Sequence, residues 1–347
     1  MEKIAVLGAG SWGTALAMVL NDNGHHVSLW TNNQIHADEI NKMHKNSAYL
    51  PDVTLPNSII AHVDLKQALA DTTAIVFVLP TKAIRSVCQQ VKAVLDHQVT
   101  IIHGTKGIEP DTFKRVSEMM EEELDSQFYD EIVVLSGPSH AEEVSIKLPT
   151  TVSASSKSME AAMHTQNLFM NESFRVYTNQ DTLGVELGGS LKNIIALGAG
   201  ISDGLGYGDN AKAALVTRGL AEIARLGTAM GADPLTFVGL TGIGDLIVTC
   251  TSIHSRNWKA GNMLAQGNTL ADVLAQMGMV VEGVRTAEAA YHLAKEKGID
   301  MPITTAIYEI LFKHANAQEA VDQLMTRSRR TETDEVHLML EQHYQSK

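Results

Sequence analysis

Apolar positions along this chain fall into two regimes. In the first half, short apolar, β-branched runs recur: Lys3-Ile-Ala-Val-Leu7, His26-Val-Ser-Leu-Trp30, Ala74-Ile-Val-Phe-Val-Leu79, Thr100-Ile-Ile-His103 and Ile132-Val-Val-Leu135. Gly or Pro borders them and helical patterns separate them, which predicts a parallel sheet. Thr150–Ala154 and Phe174–Tyr177 add strands around a helix over Ser158–Met170, for a sheet of seven or eight strands. From about Gly184 these runs give way to helical stretches: Asn210–Met230, with Asp209 or Asn210 placed to cap it, then Thr269–Met277, Thr286–Lys297, Thr304–Lys313 and Ala317–Met325.

The first run leads directly into Gly8-Ala-Gly10-Ser-Trp-Gly13, and Thr14–Leu20 then reads as a helix ahead of the second strand. A G-x-G-x-x-G framed by strand, helix and strand is a dinucleotide-binding signature. Gly8 permits the tight turn, Gly10 lets a pyrophosphate approach the backbone, and Gly13 lets helix pack on strand. The helix N-terminus offers N–H groups and partial positive charge to the phosphates. The predicted fold class is therefore α/β: an N-terminal Rossmann-type dinucleotide-binding domain over residues 1–185, an all-helical C-terminal domain over 186–330, and a polar tail over 331–347 whose role is not readable.

Composition narrows the partners. The chain has 347 residues, 44% of them hydrophobic and 19% charged, enough for two domains with a sizeable core. A net charge of −13 argues against nucleic acid and against an anionic membrane surface. No apolar run approaches the ~18 residues needed to span a bilayer, and the N-terminus enters the first strand at once, so a cytoplasmic protein without membrane insertion is expected. Cys88 and Cys250 follow no metal or redox spacing and read as small buried residues. No H-E-x-x-H or C-x-x-C is present, so no metal is expected. Gly137-Pro-Ser-His-Ala141 lacks the second glycine of a nucleophile elbow.

In open α/β sheets ligands sit beyond the carboxyl ends of the strands. Three segments fall there: Pro80-Thr81-Lys82, Gly104-Thr-Lys106-Gly107 and Ser136-Gly-Pro-Ser139-His-Ala141. Lys106 reads either as a cation facing the cofactor crevice or as a solvated surface lysine. Gly137 and Ser139 offer an N–H and a hydroxyl to an oxyanion, or make an ordinary turn before a helix. Lys192, in Gly188-Gly-Ser-Leu-Lys-Asn-Ile-Ile, stands in a small, apolar helical stretch. Burial or a second cation nearby would lower its pKa toward the range needed for acid–base work; the alternative is a lysine reaching out to water. Ser255 and Arg256 suit a phosphate at a helix N-terminus, or a plain N-cap followed by a solvated arginine.

On these motifs the chain resembles the bacterial NAD(P)-dependent glycerol-3-phosphate dehydrogenases along nearly its whole length, to about residue 330. The resemblance is carried by Gly8–Thr14, Thr105-Lys-Gly107, Ser136–Ser139, Ser173–Tyr177, Leu187–Asn193, Thr217–Glu222, Leu240–Leu246, Ser255-Arg-Asn257 and Val280–Gly283. It implies reversible reduction of dihydroxyacetone phosphate to sn-glycerol 3-phosphate with NAD(H) or NADP(H), supplying phospholipid synthesis. Carried onto matching positions, it implies Lys192 as the catalytic acid–base and cofactor contacts from Ser11, Trp12, Lys106, Ala141, Arg256, Val280 and Glu282. Its implied substrate shell is Lys106, Gly137, Ser139, Lys192, Asp245, Ser255, Arg256 and Asn257.

One position departs from pattern. An NAD-selective site carries an acid at the end of the second strand, and the resembled family often carries a base; here Thr31-Asn32-Asn33 stands there, and dual cofactor use is expected. Dehydrogenases of small β-hydroxy acids share the two-domain plan and form the competing enzyme reading. A nucleotide-sensing regulator is disfavoured by the acidic charge. The helical half is compatible with a homodimer, although no stripe of residues is diagnostic of one.

Overall fold

The computed structural model describes residues 1–328 and Thr331. The polar tail expected over 331–347 otherwise lies outside the described residues. The chain divides into two compact units: Met1–Thr105 with Val116–Thr182, and Lys106–Arg115 with the chain from Leu183 onward. It thus enters the second unit for ten residues at Lys106, long before Leu183, an excursion that the hydrophobic pattern does not carry.

In the first unit, eight strands are described: β1 (Lys3–Leu7), β2 (His26–Trp30), β3 (Ile60–His62), β4 (Ala74–Phe77), β5 (Thr100–His103), β6 (Val133–Ser136), β7 (Thr150–Ser155) and β8 (Phe174–Asn179). The helices are α1 (Ser11–Asp22), α2 (Gln34–Met43), α3 (Leu65–Leu69), α4 (Ile84–Val94), α5 (Val116–Glu123), α6 (Ala141–Ser145) and α7 (Met159–Phe169). The strands lie in the order β3-β2-β1-β4-β5-β6-β7-β8. Its first six positions give the doubly wound arrangement, whose topological switch point falls between β1 and β4. Alternate residues of β1 face opposite sides: Ile4 and Val6 join one core, Ala5 and Leu7 the other, and all four are fully buried.

The sheet is not wholly parallel, because β6 and β7 pair antiparallel, Val134 opposite Ser155. The link between them holds only the five-residue α6, too little helix for a full crossover.

The second unit holds the helices α8 (Thr182–Gly204), α9 (Asp209–Ala229), α10 (Asp245–Thr251), α11 (Arg256–Ala265), α12 (Leu270–Met277), α13 (Glu282–Lys297), α14 (Pro302–Lys313) and α15 (Ala317–Met325). Helix α8 is buried without interruption from Gly184 to Ser202 and forms the axis of this core, with Leu187, Leu191, Ile194 and Ile195 among its members. A β-carbon on Gly188 would stand 2.7 Å from the Thr241 carbonyl oxygen, so only glycine lets the π-helical turn Leu240–Gly244 seat directly on α8. One expected cap is corrected. Gly208, in extended conformation, is the N-cap of α9, and Asp209 is its first residue, where its charge favours the positive helix end.

Candidate active site

The turn from β1 into α1 is built by packing that excludes side chains. A β-carbon on Gly8, at φ +117°, would lie 2.3 Å from the Val78 carbonyl oxygen, and one on Gly13 would lie 1.9 Å from that of Gly8. Gly10 has open space where its β-carbon would be. The loop is therefore tight against Val78, just past the end of β4 at the switch point, and bare on the outside, a cradle that fits a pyrophosphate. Ser11 donates its hydroxyl to the Tyr49 carbonyl at 3.0 Å. Trp12 lies tilted over Phe174, and its buried indole N–H has no acceptor among the described residues.

Two contributors to this loop carry no local sequence signal. Asn46, fully buried, donates to the Ala9 carbonyl and to Thr14 Oγ1, both at 2.8 Å. Tyr49 follows in the same segment. At the end of β2, Asn33 is committed to capping α2 and accepts from the Ile35 and His36 amides, while Asn32 is exposed.

Gly137, Ser139 and Ala141 occupy the β6–α6 turn of the same unit. Gly137 has φ +146°, and a β-carbon there would stand 2.9 Å from Val152 Cα. Ser139 donates back to the Gly137 carbonyl at 2.9 Å, a local turn, and Ala141 opens α6.

Within the second unit, three of the expected residues converge. Asp245 is 1% exposed and takes an ammonium on each oxygen: Lys106 Nζ at 2.7 Å on Oδ2, and Lys192 Nζ on Oδ1. Lys192 is 5% exposed and does not reach out to water. It also donates to Thr249 Oγ1 at 2.8 Å, and that hydroxyl in turn donates to the Asp245 backbone carbonyl. Thr249 was not among the expected residues, although it stands one helical turn from Asp245 on α10 and so shares its face.

Burial is the largest influence on Lys192 and brings its pKa down to about 7; Asp245 opposes the shift and Lys106 adds to it. The carboxyl of Asp245 stays below the usual carboxylate range: burial works against ionisation, but the two ammonium groups outweigh it. One buried carboxylate is thus shared between two cations, and the deeper of them exchanges its proton near neutrality. Cys250, nearby on α10, is buried with its thiol pushed up to about 12.

A second cluster is tied to α8 one residue further on. Asn193 Oδ1 accepts from the Asn257 amide at 2.9 Å, and Asn257 Oδ1 accepts from the Gly283 N–H at 3.0 Å. Ser255 caps α11 by accepting from the Trp258 N–H at 3.2 Å. Arg256 is exposed and donates to the Val280 carbonyl at 3.3 Å; Glu282 opens α13. Ser255 and Asn257 are buried beside it. Among the described residues no group of three or more His, Cys, Asp or Glu is arranged to hold a metal ion, and no helix is long and apolar enough to cross a membrane.

The family models for the N-terminal and C-terminal portions of NAD-dependent glycerol-3-phosphate dehydrogenase match residues 3–162 and 181–322. A glycerol-3-phosphate dehydrogenase [NAD(P)+] of Oceanobacillus iheyensis is 62% identical over 344 residues, 99% of each chain. Its counterpart from Geobacillus kaustophilus is 63% identical over 338 residues, covering 97% of this chain and 98% of that one. The crystal structure of the Coxiella burnetii glycerol-3-phosphate dehydrogenase superposes with a TM-score of 0.90 at 40% identity, over 94% of this chain and 99% of that one.

Proposed function

The chain belongs to the NAD-dependent glycerol-3-phosphate dehydrogenases, and from that premise we propose that Lys192 is the proton donor and acceptor for the interconversion of dihydroxyacetone phosphate and sn-glycerol 3-phosphate. The observation that carries this reading is the sharing of Asp245 between Lys192 and Lys106 in a buried setting. A lysine with a pKa near 7 is present in both protonation states under working conditions, as reversible acid–base catalysis requires. When bound in the cradle of Gly8, Gly10 and Gly13, the nicotinamide cofactor would supply or accept the hydride.

Carbonyl reduction builds negative charge on the substrate oxygen. Protonated Lys192 stabilises that charge and then gives up its proton; in the reverse direction the neutral amine removes the hydroxyl proton. Asp245 orients both lysines and keeps their charges tolerable inside the protein. Lys106, Arg256 and the Ser255–Asn257 turn bind the phosphate, with Gly137 and Ser139 completing the substrate shell. Binding energy from that remote group holds the reacting carbon in place. Gly8, Gly10, Ser11, Trp12 and Gly13 hold the dinucleotide, joined by Lys106, Ala141, Arg256, Val280 and Glu282.

A cytoplasmic supplier of glycerol phosphate for phospholipid synthesis fits this reaction, and its two cysteines are unpaired and buried. Sedimentation would decide between a monomer and a homodimer.

The test is oxidation of NADH and of NADPH by purified protein with dihydroxyacetone phosphate, for the wild type and Lys192→Ala. We expect rapid turnover by the wild type and its near-complete loss in the variant, with cofactor affinity retained. Near-normal turnover in Lys192→Ala would overturn the assignment of that residue.

A further inference from the structure

Both ends of the Lys106–Arg115 excursion are tied to buried carboxylates of the second unit. Lys106 meets Asp245, and Arg115 pairs with Glu186, whose side chain is 3% exposed. Immediately after Lys106, the Gly107 N–H donates to Ser190 Oγ at 2.9 Å. Glu186 and Ser190 are one turn apart on α8 and share a face, and Ser190 stands two residues before Lys192. Between the two ends, Ile108 is buried in the unit's core and bridges to Arg115, while the Glu109 N–H donates to the Lys114 carbonyl at 3.0 Å. The excursion is a closed loop pinned at both ends, and α8 supplies Glu186, Ser190 and Lys192.

A lysine cannot hold its own ammonium in place, since its four-carbon stem is flexible. A pinned backbone fixes the point from which that stem reaches Asp245. We propose that Ser190, Glu186 and Arg115 are positioning residues that hold the Lys106 ammonium against Asp245 and thereby set how tightly Lys192 keeps its proton. The proposal rests on Lys192 acting as the acid–base. The groups facing the Lys192 ammonium are Asp245, Thr249 and Cys250 from α10 and Lys106 from the excursion. Cys250 stays a neutral thiol through this range, so Lys106 and Asp245 set the balance. If Lys106 retreats, its repulsion of Lys192 is lost and Asp245 is left to Lys192 alone. Both changes make Lys192 hold its proton more tightly, and in glycerol 3-phosphate oxidation the rise of rate with pH moves to higher pH.

The experiment is the pH profile of kcat for glycerol 3-phosphate oxidation in the wild type, Lys106→Met, Ser190→Ala and Glu186→Gln, at saturating cofactor. Thermal melting and cofactor affinity check that each variant is folded. We expect Lys106→Met to move the rising limb upward by about one pH unit, tenfold in proton affinity, and Ser190→Ala and Glu186→Gln to move it in the same direction by less. A purely structural role would lower the plateau without moving the limb. Should Glu186→Gln fail to fold, Ser190→Ala still decides, because it removes one hydroxyl and no charge. A limb that moves in Lys106→Met but stays put in Ser190→Ala overturns the positioning role alone. A limb unmoved in Lys106→Met overturns the shared-carboxylate reading, and this proposal with it.

Discussion

The glycine loop of the first unit and the lysine–carboxylate cluster of the second are built on opposite principles. The loop works by what is missing: Gly8 and Gly13 have no room for a β-carbon, and Gly10 leaves its outer face bare, so backbone N–H groups are what it can offer a phosphate. The cluster works by what is present at high cost, a lysine and an aspartate taken almost wholly out of water with a second, partly exposed lysine on the same carboxylate. The first is a matter of shape and should fail through cofactor affinity. The second is a matter of charge and should fail through turnover and pH response.

The sharpest break in that comparison is a pair of substitutions in the cluster. Lys192→Ala should lower kcat by at least about 10³-fold, or roughly 4 kcal/mol of transition-state stabilisation, while equilibrium titration finds cofactor affinity within a few-fold of wild type. Asp245→Asn should also cost turnover heavily, because it leaves the buried Lys192 ammonium, and Lys106 beside it, without their counter-charge. A large loss of cofactor affinity in either variant would erase the distinction drawn above.

The complementary break is Gly13→Ala. Its β-carbon would fall 1.9 Å from the Gly8 carbonyl oxygen, so the loop must move. Cofactor dissociation constants should rise about 100-fold, close to 3 kcal/mol. At saturating cofactor, the pH profile of the remaining turnover should match that of the wild type. Asn46→Ala should act in the same way but more weakly, since it removes two hydrogen bonds to the loop and leaves the glycines in place.

A third test asks whether buried charge in the second unit always serves chemistry. Glu222 on α9 is 2% exposed and accepts from the Ile303 N–H at 2.6 Å and the Thr304 N–H at 3.1 Å, capping α14 from outside. Burial raises its pKa from 4.5 to about 7, outweighing those hydrogen bonds. The folded protein then holds this proton more tightly than the unfolded chain, so the contribution of Glu222 to stability is fully present below pH 4.5 and is lost as pH rises through about 7. The shift corresponds to roughly 3 kcal/mol at most. Denaturant titrations should show that decline in the wild type and not in Glu222→Gln, whose turnover per folded molecule should stay close to normal.

Legibility in the sequence followed the same divide. The strand runs and the glycine motif are local patterns, so the sheet, the loop and the cofactor class could be read from short windows; each of the five strands expected first lies within a residue or two of its place. Lys192 was legible as an anomaly, a lysine in a small, apolar helix. Its pairing was not, because Lys106, Lys192 and Asp245 are separated by 53 to 139 residues and meet only through the fold. The excursion at 106–115 escaped for the same reason, as did Asn46, whose 37-residue reach to Ala9 has no periodic trace. The antiparallel β6–β7 pair was missed because strand composition does not report direction.

The smallest effect tests where shape and charge meet in cofactor choice. Asn33 spends its side chain on the N-terminus of α2, accepting from Ile35 at 2.9 Å, so only Asn32 of this pair presents an exposed side chain at the end of β2. Asn33→Ala should therefore cost about 1 kcal/mol of stability through the lost cap and leave the ratio of NADH to NADPH turnover unchanged. Asn32→Arg should shift that ratio toward NADPH, because a guanidinium can neutralise a 2′-phosphate that an amide can only hydrogen-bond. Parallel steady-state kinetics with both cofactors read the two effects separately. If Asn33→Ala moved the ratio as far as Asn32→Arg, discrimination would lie in the placement of α2 and not in the charge it carries.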